Sequence, residues 1–220
     1  MRASDHMNFI DDVFDIIDFI VEDNHKVLEI HTCDLKELVN LCGGIPVPEL
    51  YDVKVTTESV SKSAINVVVN CSLFTVSRRI DFGLKRIYNA YMRVFNPGND
   101  IGKTLFINQM KAATGRNFNS LTTYAQGNIG DEQWEGYVFW AKIGFIMTDL
   151  DDIEDFEDMM RYYPKPELTL GELVLDEKGC DFWQRDGFGW RGKFLLWEDS
   201  ESMKQLRNYL DLKGLTWMLD

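Results

Sequence analysis

The 220-residue sequence predicts an α+β fold: a mixed central sheet flanked by helices, with a helical extension before it and a small α+β extension after it. Three stretches carry that reading. Ala64 to Asp81 (AINVVVNCSLFTVSRRID) is rich in β-branched and aromatic residues, as one bent strand or a hairpin would be. Arg86 to Phe106 joins a buried strand, a turn dense in Asn, Pro, Gly and Asp, and the start of a helix. Near both ends of the chain, apolar residues instead recur at amphipathic-helix spacing. Divisions fall near Ile45-Pro46-Val47-Pro48 and Pro164-Lys165-Pro166. They define an acidic helical extension over 1–50, a core over 51–160 and a C-terminal extension over 161–220 that packs on the core.

Each element has its own signal. Phe9, Val13, Ile16, Ile17 and Ile20 share one helical face, with aspartates filling the other positions. A second helix covers Cys33 to Cys42, with Thr32 or Asp34 near its start and Gly43-Gly44 after it. Asp52 to Thr57 alternates as a strand does. Ile87 to Phe95 is an apolar strand, broken by Asn96-Pro97-Gly98-Asn99-Asp100. From Ile101, helical spacing places Ile101, Leu105, Met110 and Ala113 near one face, and Gly115 is a natural stop. Asn119 to Ala125 is the next strand, and Gly136 to Phe145 (GYVFWAKIGF) is a short apolar helix ending in Gly-Phe. The acids of Asp149 to Asp158 alternate with a stripe of Ile153, Phe156, Met159 and Met160, which makes a solvated acidic helix face. WQRDGFGWRGKF reads as turns, and Ser202 to Leu212 as a final helix.

Composition narrows the classes. An apolar fraction of 45% suits a packed core. A net charge of −13 argues against a nucleic-acid or anionic-membrane binder and suits a basic partner, a basic substrate or an acidic surface that only keeps the protein soluble. Asp11, Asp12, Asp15 and Asp18 interrupt the run Phe9 to Val21, so it reads as neither signal peptide nor membrane span. His6-Met7 is what a common cloning junction encodes, so Met1 to His6 stands outside the fold argument. Cys33, Cys42, Cys71 and Cys180 form no Cys-x-x-Cys pair, which points to free thiols in a reducing cytoplasm and to no metal site. Arg78 and Arg79 are conspicuous in an acidic chain; they meet either an anionic group or surface carboxylates. Trp134, in the loop Gln126 to Glu135, either contacts a substrate or folds back on the core.

A strand, a turn and a helix in that order aim a helix N-terminus and free backbone N–H groups at one spot, which suits phosphate. With the following strand, the short helix and Gly144-Phe145, the order resembles the GNAT superfamily of acetyl-coenzyme A-dependent N-acyltransferases. The resemblance covers about residues 60 to 147. The family's Gln/Arg-x-x-Gly-x-Gly/Ala loop is matched by Pro97-Gly98-Asn99-Asp100-Ile101-Gly102-Lys103-Thr104-Leu105. Its Tyr-x-x-x-Gly-Phe stretch is matched by Trp140-Ala141-Lys142-Ile143-Gly144-Phe145. The tail and the Gly-Tyr-x-x-Trp-x-x-x-Gly-Phe stretch of Gly136 to Phe145 are similar to some bacterial and phage GNAT-like proteins.

The resemblance implies an acetyl transfer in which an amine of a small molecule or protein attacks the thioester directly. It implies that the backbone of Met92, Arg93 and Val94 pairs with pantetheine. The N–H groups of Gly98, Asn99, Ile101, Gly102, Lys103 and Thr104 then hold the pyrophosphate, aided by the Lys103 ammonium. Tyr137 and Tyr124 are the candidate acids for the leaving thiolate. Three departures weigh the other way. Pro97 stands where the family has Gln or Arg. Asp100 replaces the first Gly of the pair, and its carboxylate must turn away to cap the helix through the N–H of Gly102 or Lys103. Trp140 replaces a Tyr, and an indole cannot act as that acid. They leave open a second reading, an inactive GNAT-like module that binds a basic protein, as an inhibitor or in phage–host conflict.

Overall fold

The computed structural model describes residues 18–21, 29, 31–44, 53–95, 100–127 and 136–219. The chain divides into two compact units, Met1–Asn119 with Trp217–Asp220, and Ser120–Thr216. The division falls inside the stretch expected to be one core. Strand Ser120–Ala125 and helix Gly136–Lys142 belong with the C-terminal segment.

Among the described residues the first unit holds five strands: β1 (Asp18–Val21), β2 (Lys54–Ser59), β3 (Ala64–Asn70), β4 (Phe74–Asp81) and β5 (Arg86–Val94). They lie in that order. β1 is parallel to β2 and every later pair is antiparallel, so the sheet is mixed. Strand β1 corrects the expected N-terminal helix at its far end. Phe19, Ile20 and Val21 are aromatic or β-branched, and the ladder to Val55, Thr56 and Thr57 overrides the helical spacing. The rest of that expected helix, together with Pro97, Gly98, Asn99 and Trp134, lies outside the described residues.

Ala64 to Asp81 is a hairpin, turned at Cys71-Ser72-Leu73 by a bond from the Cys71 N–H to the Phe74 carbonyl. Its alternation is strict. Phe74, Val76, Arg78 and Ile80 are buried, while Thr75, Ser77, Arg79 and Asp81 lie on the more open face. Among the described residues, two α-helices belong to this unit. Helix α1 (Leu35–Leu41) starts with a full capping box. The Glu37 N–H donates to Asp34 at 2.7 Å, and the Asp34 N–H donates to Glu37 at 3.1 Å. Helix α2 (Ile101–Gly115) buries Ile101, Leu105, Met110 and Ala113, as the spacing predicts, and also Gln109. Thr57, Val67, Arg78 and Asn89 make one buried row across the four strands β2 to β5. Gln109 meets this row, its amide donating to the Asn89 side chain at 2.8 Å and to the Leu41 carbonyl at 3.1 Å.

The second unit holds β6 (Ser120–Ala125), β7 (Ile146–Met147) and β8 (Trp190–Leu195), with β8 antiparallel to both others. Its helices are α3 (Gly136–Lys142), α4 (Leu150–Met160), α5 (Leu170–Leu175), α6 (Glu177–Asp186) and α7 (Glu201–Leu212). Here the run read as turns is corrected: Gln184 to Asp186 ends α6, and Trp190 to Phe194 is strand. The strand tolerates Gly192 because a Cβ there would lie 2.7 Å from the Trp190 ring. Trp183 and Trp190 are fully buried, and both indole N–H groups donate to the Tyr137 carbonyl, at 3.2 and 3.0 Å. Gly144 adopts φ 103°, and a Cβ there would stand 2.4 Å from the Ser202 carbonyl oxygen, so the Gly-Phe pair lets α7 approach closely.

Candidate functional site

In the first unit the site is built where β5 ends and α2 begins. Strand β5 carries a β-bulge. Asn89 pairs with Arg78 and Tyr91 with Ser77, so Ala90 has no residue opposite it. The bulge resets the alternation. Ile87 and Asn89 face inward before it. After it, Met92 pairs with buried Val76 and Val94 with buried Phe74, so these two take the inner face. Arg93 is exposed, with its guanidinium over the Phe95 ring at 5.6 Å.

Met92 and Val94 then meet the first turn of α2. A Cβ placed on Gly102 would lie 3.7 Å from Val94 Cγ2 and 3.9 Å from Met92 Cε, ordinary packing distances. Ile101, Gly102 and Lys103 are the first residues of α2, and their N–H groups are the ones a helix leaves over at its start. Asp100 does not cap them, contrary to the expectation. It adopts the left-handed conformation at φ 56°, and its side chain makes no cap hydrogen bond. The carboxylate instead forms an ion pair with the Lys103 ammonium one turn on. In the left-handed conformation the residue no longer has the extended backbone from which an N-cap side chain reaches back to the helix. Thr104 is also occupied, its N–H and hydroxyl both donating to the Asp100 carbonyl at 2.9 and 3.1 Å. Of the expected pyrophosphate donors, Ile101, Gly102 and Lys103 therefore remain as described backbone candidates.

The candidate acids lie in the second unit. Tyr124, on β6, is 46% exposed. Tyr137, on α3, is 5% exposed, and its hydroxyl donates to the Gln184 carbonyl at 2.8 Å. Tyr137 is thus packed as a core residue whose proton is already committed. Trp140 is buried as well, edge-on to Phe145 with centroids 4.8 Å apart. The acidic run forms α4 with the expected apolar stripe, and Arg191 tethers its start by ion pairs to Asp149 at 3.1 Å and Asp152 at 3.6 Å.

Sequence reasoning misplaced one important residue. Arg78 makes no ion pair with a surface carboxylate among the described residues. It is 1% exposed, and its Nη1 donates to the Tyr91 carbonyl at 2.6 Å and the Ser77 carbonyl at 3.1 Å. Burial pushes its guanidinium down to about 10, still ionised at neutral pH. The signal was present in the alternation: Phe74, Val76 and Ile80 are apolar, and Arg78 is the exception on their face.

Among the described residues, no three His, Cys, Asp or Glu side chains cluster as a metal site would require, and no helix is long and apolar enough to cross a membrane. Comparison with family models, curated proteins and solved structures gives no match.

Proposed function

We propose that the chain is a GNAT-like N-acyltransferase that takes an acetyl group from acetyl-coenzyme A to an amine. The observation that carries this reading is the bulged end of β5 running into the uncapped first turn of α2. A bulge bends a strand and resets its facing, which brings Met92 and Val94 beneath the first turn of α2. The N–H groups of Ile101, Gly102 and Lys103 lie at the positive end of a 15-residue helix, where a pyrophosphate is favoured. Transfer needs the amine held against the thioester and a proton removed from it. Orientation supplies much of the rate, and water can complete the proton path. Both expected acids, Tyr124 and Tyr137, belong to the second unit, where Tyr124 is exposed and the Tyr137 hydroxyl is engaged. The net charge of −13 favours a cationic amine as acceptor, whether a small molecule or a protein side chain. Four free cysteines, three of them buried, fit a reducing cytoplasm.

The ion pair between Asp100 and Lys103 favours a second reading, a GNAT-like module without catalysis that binds a basic protein through acidic faces such as α4. Calorimetry with coenzyme A separates the two. Saturable heat at up to millimolar ligand supports the acyltransferase. Its absence, with retained binding to a polybasic peptide, supports the module.

A further inference from the structure

We infer that Arg78 is the residue that sets the bulge of β5, and through it the placement of the first turn of α2. The two carbonyls that receive its Nη1, Ser77 and Tyr91, are cross-strand partners at the edge of the register shift. One nitrogen therefore bridges both strands where the ladder breaks. A guanidinium buried to 1% normally has a carboxylate for company, because removing a charge from water is costly. Here, among the described residues, its hydrogen bonds go to carbonyls alone, and burial pushes the nearby Cys42 thiol up to about 12. An apolar residue would suit the row of Phe74, Val76 and Ile80 better. The position of the charge makes sense as a fixed donor that ties together the Ser77 and Tyr91 carbonyls, one on each strand, at the register shift.

The consequence is a change of face. In an unbroken ladder the alternation that buries Ile87 and Asn89 would turn Tyr91 and Arg93 inward, and Met92 and Val94 outward. The bulge reverses this, so that Met92 and Val94 lie under Gly102. Arg78 is a positioning residue: it touches no expected ligand atom, yet it decides which side chains support the helix start. Its effect on coenzyme A rests on the acyltransferase reading; its effect on the strand does not.

The test uses Arg78→Met, Arg78→Lys and the parent chain. Amide hydrogen exchange across Ala90 to Val94 and Gly102 to Thr104 is expected to quicken about tenfold or more in Arg78→Met, with β2 and β3 unchanged. Arg78→Lys, which keeps a charged donor, should restore part of the protection. Coenzyme A affinity should weaken about fivefold to tenfold in Arg78→Met and recover with Lys in the same order. Exchange that is unchanged, or that quickens evenly over the whole first unit, overturns the inference. Should neither variant fold, the parent still decides. Its Arg78 Nη resonances should be resolved, slow to exchange and coupled across a hydrogen bond to the Tyr91 carbonyl carbon; averaged, fast-exchanging signals overturn the inference. No coenzyme A binding by the parent, with the exchange result as expected, would sink the acyltransferase reading and leave the role of Arg78 standing.

Discussion

Replacing Asp100 with glycine acts on backbone conformation and on charge together. The backbone at Asp100 sits at φ 56°, where a side chain costs about 1 kcal/mol and glycine nearly nothing. No cap bond is lost, because the side chain makes none. The ion pair to Lys103 is lost, but the Asp100 side chain is 49% exposed, and pairs so exposed contribute roughly 0.2–1 kcal/mol. The sum is a stability change between about zero and a gain of about 0.8 kcal/mol, or an upward shift of up to about 2–3 °C for a chain of this size. For a pyrophosphate at the start of α2, the change removes a like charge and frees the Lys103 ammonium. At partial exposure this is worth on the order of 1 kcal/mol, about a fivefold tighter dissociation constant for coenzyme A. Differential scanning calorimetry and titration calorimetry read the two effects separately. A melting point lower by several degrees would refute the backbone argument. Weaker binding by Asp100→Gly than by the parent would refute the placement of the phosphate.

Three further outcomes follow from the same geometry. Gly102→Ala should fold with a gain of a few tenths to about 1 kcal/mol, since its Cβ meets Met92 and Val94 at ordinary distances; a lower melting point by calorimetry would refute that packing. Tyr137→Phe should lower stability by about 1–3 kcal/mol by orphaning the Gln184 carbonyl; a denaturant midpoint equal to the parent's would refute that bond's role. Burial raises the Cys33 and Cys42 thiols from 9.0 to about 12, so the unfolded chain loses these protons first and stability falls as pH climbs above 9.0; denaturant midpoints between about pH 8 and pH 10 should show the decline, and Cys42→Ala should flatten it.

Local chemistry explains which parts of the molecule could be read in advance. The hairpin of Ala64 to Asp81, the strand from Arg86 and the helix from Ile101 were legible because each carries strong periodicity and a distinct terminator. Asp34, one of two starts offered for the next helix, proves to be its cap, with Glu37 completing the capping box. The N-terminal aspartates hid β1, because pairing with a distant strand leaves no trace in a local window. Three glycines made the run after Phe182 look like turns, although Gly192 sits in a strand to make room for Trp190. At the candidate site, the residues were foreseen but their partners were not. A salt bridge one turn along took Asp100 from its expected cap, and a carbonyl across the second unit's core took the Tyr137 hydroxyl. The bulge at Ala90 is a register property of two strands, so no inspection of β5 alone could reveal what Arg78 does.

The shared Tyr137 carbonyl, which receives the indoles of Trp183 and Trp190, gives the second unit a built-in optical probe. Five of the six tryptophans fall within Ser120–Thr216, and Trp217, 65% exposed, is the sole one in the first unit. Intrinsic fluorescence therefore follows the melting of the second unit almost alone. The buried thiols divide the opposite way: Cys33, Cys42 and Cys71 are in the first unit, and only the half-buried Cys180 is in the second. Thiol-reagent uptake and tryptophan emission, recorded in one denaturation experiment, thus track the two halves by separate channels. Lagging curves would mean that the halves unfold as independent cooperative blocks, and superimposed curves that they unfold as one.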